Sequence, residues 1–201
     1  MSWQQRYVEN GETVIFDRGH HYMPICLRFD MNLACAHKCD LTQLFTLWRQ
    51  ANGMSTALLE APTCLCVQLE RHVHDVTGQA MMSECKINLD TICLVPVFTQ
   101  QTMAWENVEY QIAALMTHLG TDGAGHYRSA LRTRPSLVNA TTPAEWLLTD
   151  DWTAPVTAWQ APQWMTRRAN MFWLIRTDCI HLLQYVRRTM LSDTAENLGT
   201  A

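Results

Sequence analysis

The sequence predicts an α+β fold in which one early amphipathic helix precedes a mostly antiparallel sheet. Residues 40–52 combine a helix-capping pattern with apolar side chains at helical spacing. From Pro62 onward the apolar residues fall into short, strand-length runs separated by turn-forming residues. This change of period, without internal repeats, indicates one domain in which a helix is followed by a sheet.

The helix prediction rests on its start signal and on its apolar face. Asp40 is an N-cap residue, and Gln43 three positions later completes a pattern like a capping box. Gly53 is placed to end the helix. The apolar face consists of Leu41, Leu44, Phe45 and Trp48.

The strand predictions follow from runs of β-branched and apolar residues. Residues 14–16 and 25–29 are short candidates, whereas residues 108–118 fit a strand or a helix equally well. Pro96 indicates an edge strand or a bulge within residues 91–98. Asp178 is placed to cap a terminal helix over residues 179–188. The remaining predicted strands are residues 63–70, 86–90, 125–132, 145–149 and 171–177.

The composition favours a folded intracellular protein. Of the 201 residues 48% are hydrophobic and 17% charged, and the net charge of −4 argues against a nucleic-acid-binding surface. The sequence contains neither a membrane-spanning apolar run nor a signal-peptide pattern, so we expect free thiols. Cysteines within apolar runs are expected to be buried, namely Cys26, Cys64, Cys66 and Cys93.

A histidine and an acid are predicted to meet at one end of a hairpin. His126 follows a glycine loop and starts the strand 125–132, and Asp150 directly follows the strand 145–149. Antiparallel pairing of these two strands brings both residues to the same end. A His with an orienting carboxylate suits proton transfer.

Several short motifs occur in order along the chain: ALLEAP at 57–62, LCVQLER at 65–71, KIN at 86–88, THLG at 117–120, GHYRSA at 125–130, W-x-x-T-D-D at 146–151 and MFWLIR at 171–176. Together they resemble the catalytic domain of ubiquitin-specific proteases, which are papain-like cysteine peptidases. The first two motifs resemble a strand of that domain, and KIN resembles the segment after it. The next three resemble the family's His box, and MFWLIR resembles the closing strand. The likeness covers about residues 41–177.

The resemblance implies a papain-like α+β fold, its palm and fingers portion, and hydrolysis after the C-terminal glycine of ubiquitin. His126 would be the general base that activates a cysteine, and Asp150 would orient it. Asp151 would assist at the oxyanion side. The resemblance also implies a substrate-binding set, in which the glycines approach the channel for the diglycine tail and the tyrosine packs: Gly123, Gly125 and Tyr127. The partner would be ubiquitin or a ubiquitin-conjugated protein, with no nucleic acid and no membrane.

The family's N-terminal Cys box has no counterpart in residues 1–201. Cys26 is the earliest cysteine, but its apolar neighbours do not favour a reactive thiol. Two interpretations therefore stand: part of a deubiquitinase whose nucleophile lies elsewhere, or a non-catalytic ubiquitin-binding scaffold on the same fold. Whether the chain itself is an enzyme stays open at this point.

The expected organisation is a fingers-like or irregular segment at 1–40, a His-box domain at 41–178, and a helix with a polar tail at 179–201. Cys35, His37 and Cys39, with His20 and His21 upstream, offer zinc-ligand chemistry. The spacing is irregular and no second cysteine pair follows, which favours a metal-free remnant of the family's fingers. We expect no metal and no other cofactor.

Overall fold

The structure is a computed structural model that describes residues 2–9, 12–20, 24–52, 56–75, 77–99, 101–102, 104–121, 124–133, 145–150, 153–158 and 160–179. Its strands are β1 Ser2–Glu9, β2 Glu12–His20, β3 Ile25–Arg28, β4 Lys38–Cys39, β5 Thr56–Leu58, β6 Cys64–Glu70, β7 His72–His74, β8 Ala80–Met82, β9 Lys86–Ile87, β10 Cys93–Thr99, β11 Ala104–Thr121, β12 Ala124–Arg132, β13 Trp146–Asp150, β14 Thr153–Ala158 and β15 Ala169–Arg176. Its helices are α1 Met31–Ala34, α2 Leu41–Asn52 and α3 Gln163–Arg168, and a 3₁₀ turn spans Thr177–Cys179.

One large sheet dominates the described residues. Its main path runs β14-β13-β12-β11-β10-β5-β1-β2, and β15, β6 and β3 continue from β11. The pairs are antiparallel except for β3 with β6 and β5 with β10. Residues 114–117 of β11 lie between β12 and β15. The α+β prediction with a mostly antiparallel sheet is confirmed, and residues 108–118 belong to a strand.

The predicted helix is present and begins with a reciprocal capping box. The Asp40 N–H donates to Gln43 Oε1 at 3.0 Å, and the Gln43 N–H donates to Asp40 Oδ1 at 2.9 Å. Leu41, Leu44 and Phe45 are buried, as the apolar face predicts. α2 packs on β3, β5 and β10. Gly53, the expected stop, lies outside the described residues.

Other predictions need correction. The sequence predicted one early helix and a possible terminal helix over residues 179–188, of which residues 180–188 lie outside the described part of the chain. The helices α1 and α3 were not predicted. β10 carries Pro96 but is not a free edge, because β5 pairs with it through Val97 and Leu58. Cys26 and Cys64 are exposed and Cys66 is half-buried. Their strands alternate sides, so the neighbouring apolar residues enter the core while these thiols face outward. Cys93 is buried as expected.

Arg71 connects its own segment to three others from inside the core. It lies between β6 and β7, is only 3% exposed, and donates to four backbone carbonyl oxygens. These belong to Ala169 at 2.8 Å, Cys85 at 3.0 Å, Thr166 at 3.2 Å and Ser83 at 3.4 Å. Burial lowers the Arg71 pKa to about 10, so the guanidinium stays charged at neutral pH.

We predict that Arg71→Met destabilises the chain by about 3 kcal/mol or more, because each orphaned buried acceptor costs about 1–3 kcal/mol. Urea unfolding followed by tryptophan fluorescence measures this. Arg28→Met is the matched control, since Arg28 makes a mostly exposed ion pair with Glu70 worth less than about 1 kcal/mol. Equal effects of the two substitutions would contradict the structural role of Arg71.

Candidate functional site

The predicted hairpin is present and brings His126 and Asp150 together. β12 and β13 pair antiparallel with Arg128 opposite Asp150, so His126 lies one diagonal step away on the same face. The His126 Nε2 and Asp150 Oδ1 atoms are 2.6 Å apart. Both side chains are 12% exposed. The geometric prediction from the two strands is therefore confirmed, while the catalytic roles of the residues stay predictions.

The Asp150 carboxylate determines which imidazole nitrogen carries the proton. An ionised carboxylate only accepts hydrogen bonds, so His126 Nε2 must be the donor. In the neutral ring the lone pair then lies on Nδ1. The arrangement can take a proton at Nδ1 while Asp150 stabilises the imidazolium that forms.

Arg128 also contacts the carboxylate, although the sequence did not lead us to predict it as a site residue. Arg128 Nε lies 2.6 Å from Asp150 Oδ2. Its guanidinium lies over the Trp164 ring of α3, 5.5 Å from the ring centroid. Arg128 could have been predicted as a site residue from the sequence, because it lies two positions after His126 on the same strand and such side chains share a face. Trp164 had no such signal, since only the packing of α3 brings it to the site.

The opposite face of β12 carries Tyr127, which stacks on His118 of β11. Their ring centroids are 4.7 Å apart, and Tyr127 is 53% exposed. The His118 imidazole lies directly over Gly125, where a Cβ atom would overlap it. Packing against His118 therefore explains why a glycine stands at position 125, in addition to the predicted role of Gly125 in substrate binding. Gly123 and Asp151 lie outside the described residues, so their roles stay predictions.

The cysteines of the large sheet lie far from His126. Cys26 is aligned with Ser129 of β12 through the intervening partners Gln68, Met171 and Met116. This path crosses four strand spacings, or about 19 Å. Cys66 reaches β12 through three spacings, about 14 Å. Neither thiol is close enough for the His126 imidazole to take its proton.

The zinc-ligand candidates do not converge among the described side chains. Cys39 is buried, whereas Cys35 and His37 are exposed. In the described part of the chain, no group of three or more His, Cys, Asp or Glu side chains is arranged to hold a metal ion. The side chain of His20, and the whole of His21, lie outside that part. Burial raises the pKa of the Cys39 thiol.

Helices within the described ranges are too short or too polar to cross a membrane. A largely buried imidazole–carboxylate pair at the end of an antiparallel hairpin is an arrangement that can take a proton from a nucleophile. The sequence model of the family described as "Ubiquitin carboxyl-terminal hydrolase" matches residues 9–173. The chain belongs to this family.

Solved structures share the fold at low sequence identity. A structure of the SAGA Ubp8/Sgf11/Sus1/Sgf73 DUB module has a TM-score of 0.52 and 15% identity, over 87% of this chain and 37% of that chain. The same module bound to ubiquitin aldehyde has a TM-score of 0.52 and 14% identity, over 87% and 40%. This chain thus spans about two-fifths of the length of these structures' chains. No curated protein matches it by sequence.

We predict that Gly125→Ala destabilises the chain by about 1–3 kcal/mol, the usual cost of overpacking, because the new methyl group displaces the His118 ring. A double-mutant cycle by urea unfolding tests this: in a His118→Ala background, Gly125→Ala should cost much less. Equal costs in the two backgrounds would show that the His118 ring is not the constraint.

Proposed function

We propose that this chain supplies the histidine–aspartate half of a cysteine-type deubiquitinase. The enzyme would cleave the bond after the C-terminal glycine of ubiquitin with a thiol that lies outside residues 1–201. The observation that carries the proposal is the 2.6 Å contact between His126 Nε2 and Asp150 Oδ1. An intracellular site of action fits the free cysteines.

In the proposed reaction, His126 Nδ1 takes the proton of the thiol, and the thiolate attacks the carbonyl carbon of the ubiquitin C-terminal glycine. The tetrahedral intermediate collapses to a thioester, and the proton on Nδ1 passes to the leaving lysine amine. Water then attacks the thioester with His126 again as base, which releases ubiquitin with a free carboxylate and restores the thiol. Asp150 stays ionised and orients the imidazole throughout.

The other site residues have supporting roles in this proposal. Asp151 would stabilise the oxyanion of the tetrahedral intermediate, and Gly123 and Gly125 would border the channel for the diglycine tail. Tyr127 would contact the substrate through packing. Ubiquitin as the partner is supported by the family membership. Further support comes from related modules solved with ubiquitin aldehyde or monoubiquitin bound.

A second candidate, a non-catalytic ubiquitin-binding protein, is favoured by one observation. Cys26 is exposed, but it lies about 19 Å from β12 along the sheet. In this candidate the dyad would be a structural remnant and the function would be binding alone.

We predict that the isolated 201-residue chain binds ubiquitin without hydrolysing a fluorogenic ubiquitin substrate. Binding is measured by NMR titration of labelled ubiquitin, and ubiquitin lacking its two terminal glycines is the matched control, which should bind more weakly. Absence of all binding would contradict both candidates. Hydrolysis that a Cys26→Ser substitution abolishes would overturn the assignment of the thiol to another segment.

The two candidates separate when the longest natural form of the protein is assayed. In a deubiquitinase, His126→Ala should lower kcat by at least about a hundredfold, the usual contribution of a general base. The same substitution should leave ubiquitin binding nearly unchanged. A natural form that binds ubiquitin but never turns it over supports the non-catalytic candidate.

A further inference from the structure

The Asp150 carboxylate is held from two sides, with one oxygen for each partner. Oδ1 contacts His126 Nε2, and Oδ2 contacts Arg128 Nε, both at 2.6 Å. Arg128 is the direct cross-strand partner of Asp150, and His126 is its diagonal neighbour. The alternation of the β12 side chains thus places an imidazole N–H and a guanidinium on the same carboxylate.

The contact from Arg128 is ionic rather than a linear hydrogen bond. In the described part of the chain Arg128 Nε has no partner with hydrogen-bond geometry, although it lies 2.6 Å from Oδ2. The Nε–H vector therefore does not point along the line to the oxygen. What Arg128 supplies is a positive charge at a fixed place, and this place depends on what holds the guanidinium.

The Arg128 guanidinium also packs on the Trp164 ring. The Arg128 Cζ atom lies 5.5 Å from the Trp164 ring centroid, within the range of a cation–π interaction. α3, which carries Trp164, is anchored by the buried side chain of Met165 and by the Arg71 guanidinium on the Thr166 carbonyl. Lys86 Nζ also donates to Gln163 Oε1 at 3.1 Å. The brace on Arg128 is thus fixed to the core.

We propose that Arg128, braced by Trp164, is a positioning residue that keeps Asp150 oriented toward His126. The terminal torsion of an aspartate is broad and roughly two-fold, so a hydrogen bond to one oxygen alone restrains it weakly. A cation on Oδ2 makes rotation costly, because turning Oδ1 away from His126 also carries Oδ2 away from Arg128. A carboxylate that is only 12% exposed is also stabilised by a cation at this distance.

The catalytic consequence rests on the proposed function, but the geometric claim is testable in the isolated chain. The proton on His126 Nε2 gives a downfield NMR resonance only when its hydrogen bond slows exchange with water. This resonance can be assigned in the chain labelled with ¹⁵N-histidine, with His126→Gln as the reference that lacks it. It reports the bond to Asp150 whether or not the chain binds ubiquitin.

We predict that Arg128→Met, which keeps an apolar stem without the charge, loses this resonance through exchange. Arg128→Lys, which restores the charge, should retain it, and Trp164→Ala should broaden it. Arg167→Met is the matched control and should leave the resonance unchanged. Arg167 lies on α3, the helix that carries Trp164, but it pairs with Glu84 at 3.8 Å. Thermal unfolding of each variant checks that the fold persists.

Two outcomes would overturn the inference: an unchanged resonance in folded Arg128→Met, or equal loss in Arg128→Met and Arg128→Lys. If Arg128→Met does not fold, Arg128→Gln replaces it with the same expectations. A chain that fails to bind ubiquitin but shows these NMR effects refutes the proposed function and keeps this inference. A chain that binds ubiquitin but does not show these NMR effects keeps the proposed function and refutes this inference.

Discussion

The buried guanidinium of Arg71 is the interaction on which the arrangement of the site depends. A charged group that is 3% exposed is tolerated only when its donors are satisfied. Here the partners are backbone carbonyls from the β8–β9 connection, from α3 and from the first residue of β15. Because carbonyls belong to the backbone, the bonds fix the positions of whole segments rather than those of side chains.

This constraint reaches the dyad by two routes. The Ala169 carbonyl fixes the start of β15, which pairs with β11 at Thr117, and β11 in turn sets the register of β12 from Leu119 to His126. The Thr166 carbonyl fixes α3, whose Trp164 meets Arg128. Arg71 therefore fixes both the register of the strands that carry the dyad and the helix that contacts Arg128, the cation beside Asp150.

How much the sequence predicts depends on how local each cause is. The capping box at Asp40 and the hairpin that joins His126 to Asp150 follow from spacing alone, and both are present. The exposure of Cys26 depends on which side of β3 faces the core, and the prediction of burial from its apolar neighbours was wrong. Trp164 was missed because its place is decided by tertiary packing, which leaves no local signal.

The orientation of the imidazole limits where a nucleophile can act. Nε2 faces Asp150 on β13, and the two ring nitrogens point in widely different directions. A thiol served by Nδ1 must therefore approach His126 on the side of the ring that faces away from β13. The exposed thiol of Cys26, four strands from β12, is far from that position. In the proposed function, the hairpin, Arg128 and α3 together hold the His126 imidazole in place from within the chain, so a thiol that reaches Nδ1 would meet a ring whose tautomer is already set.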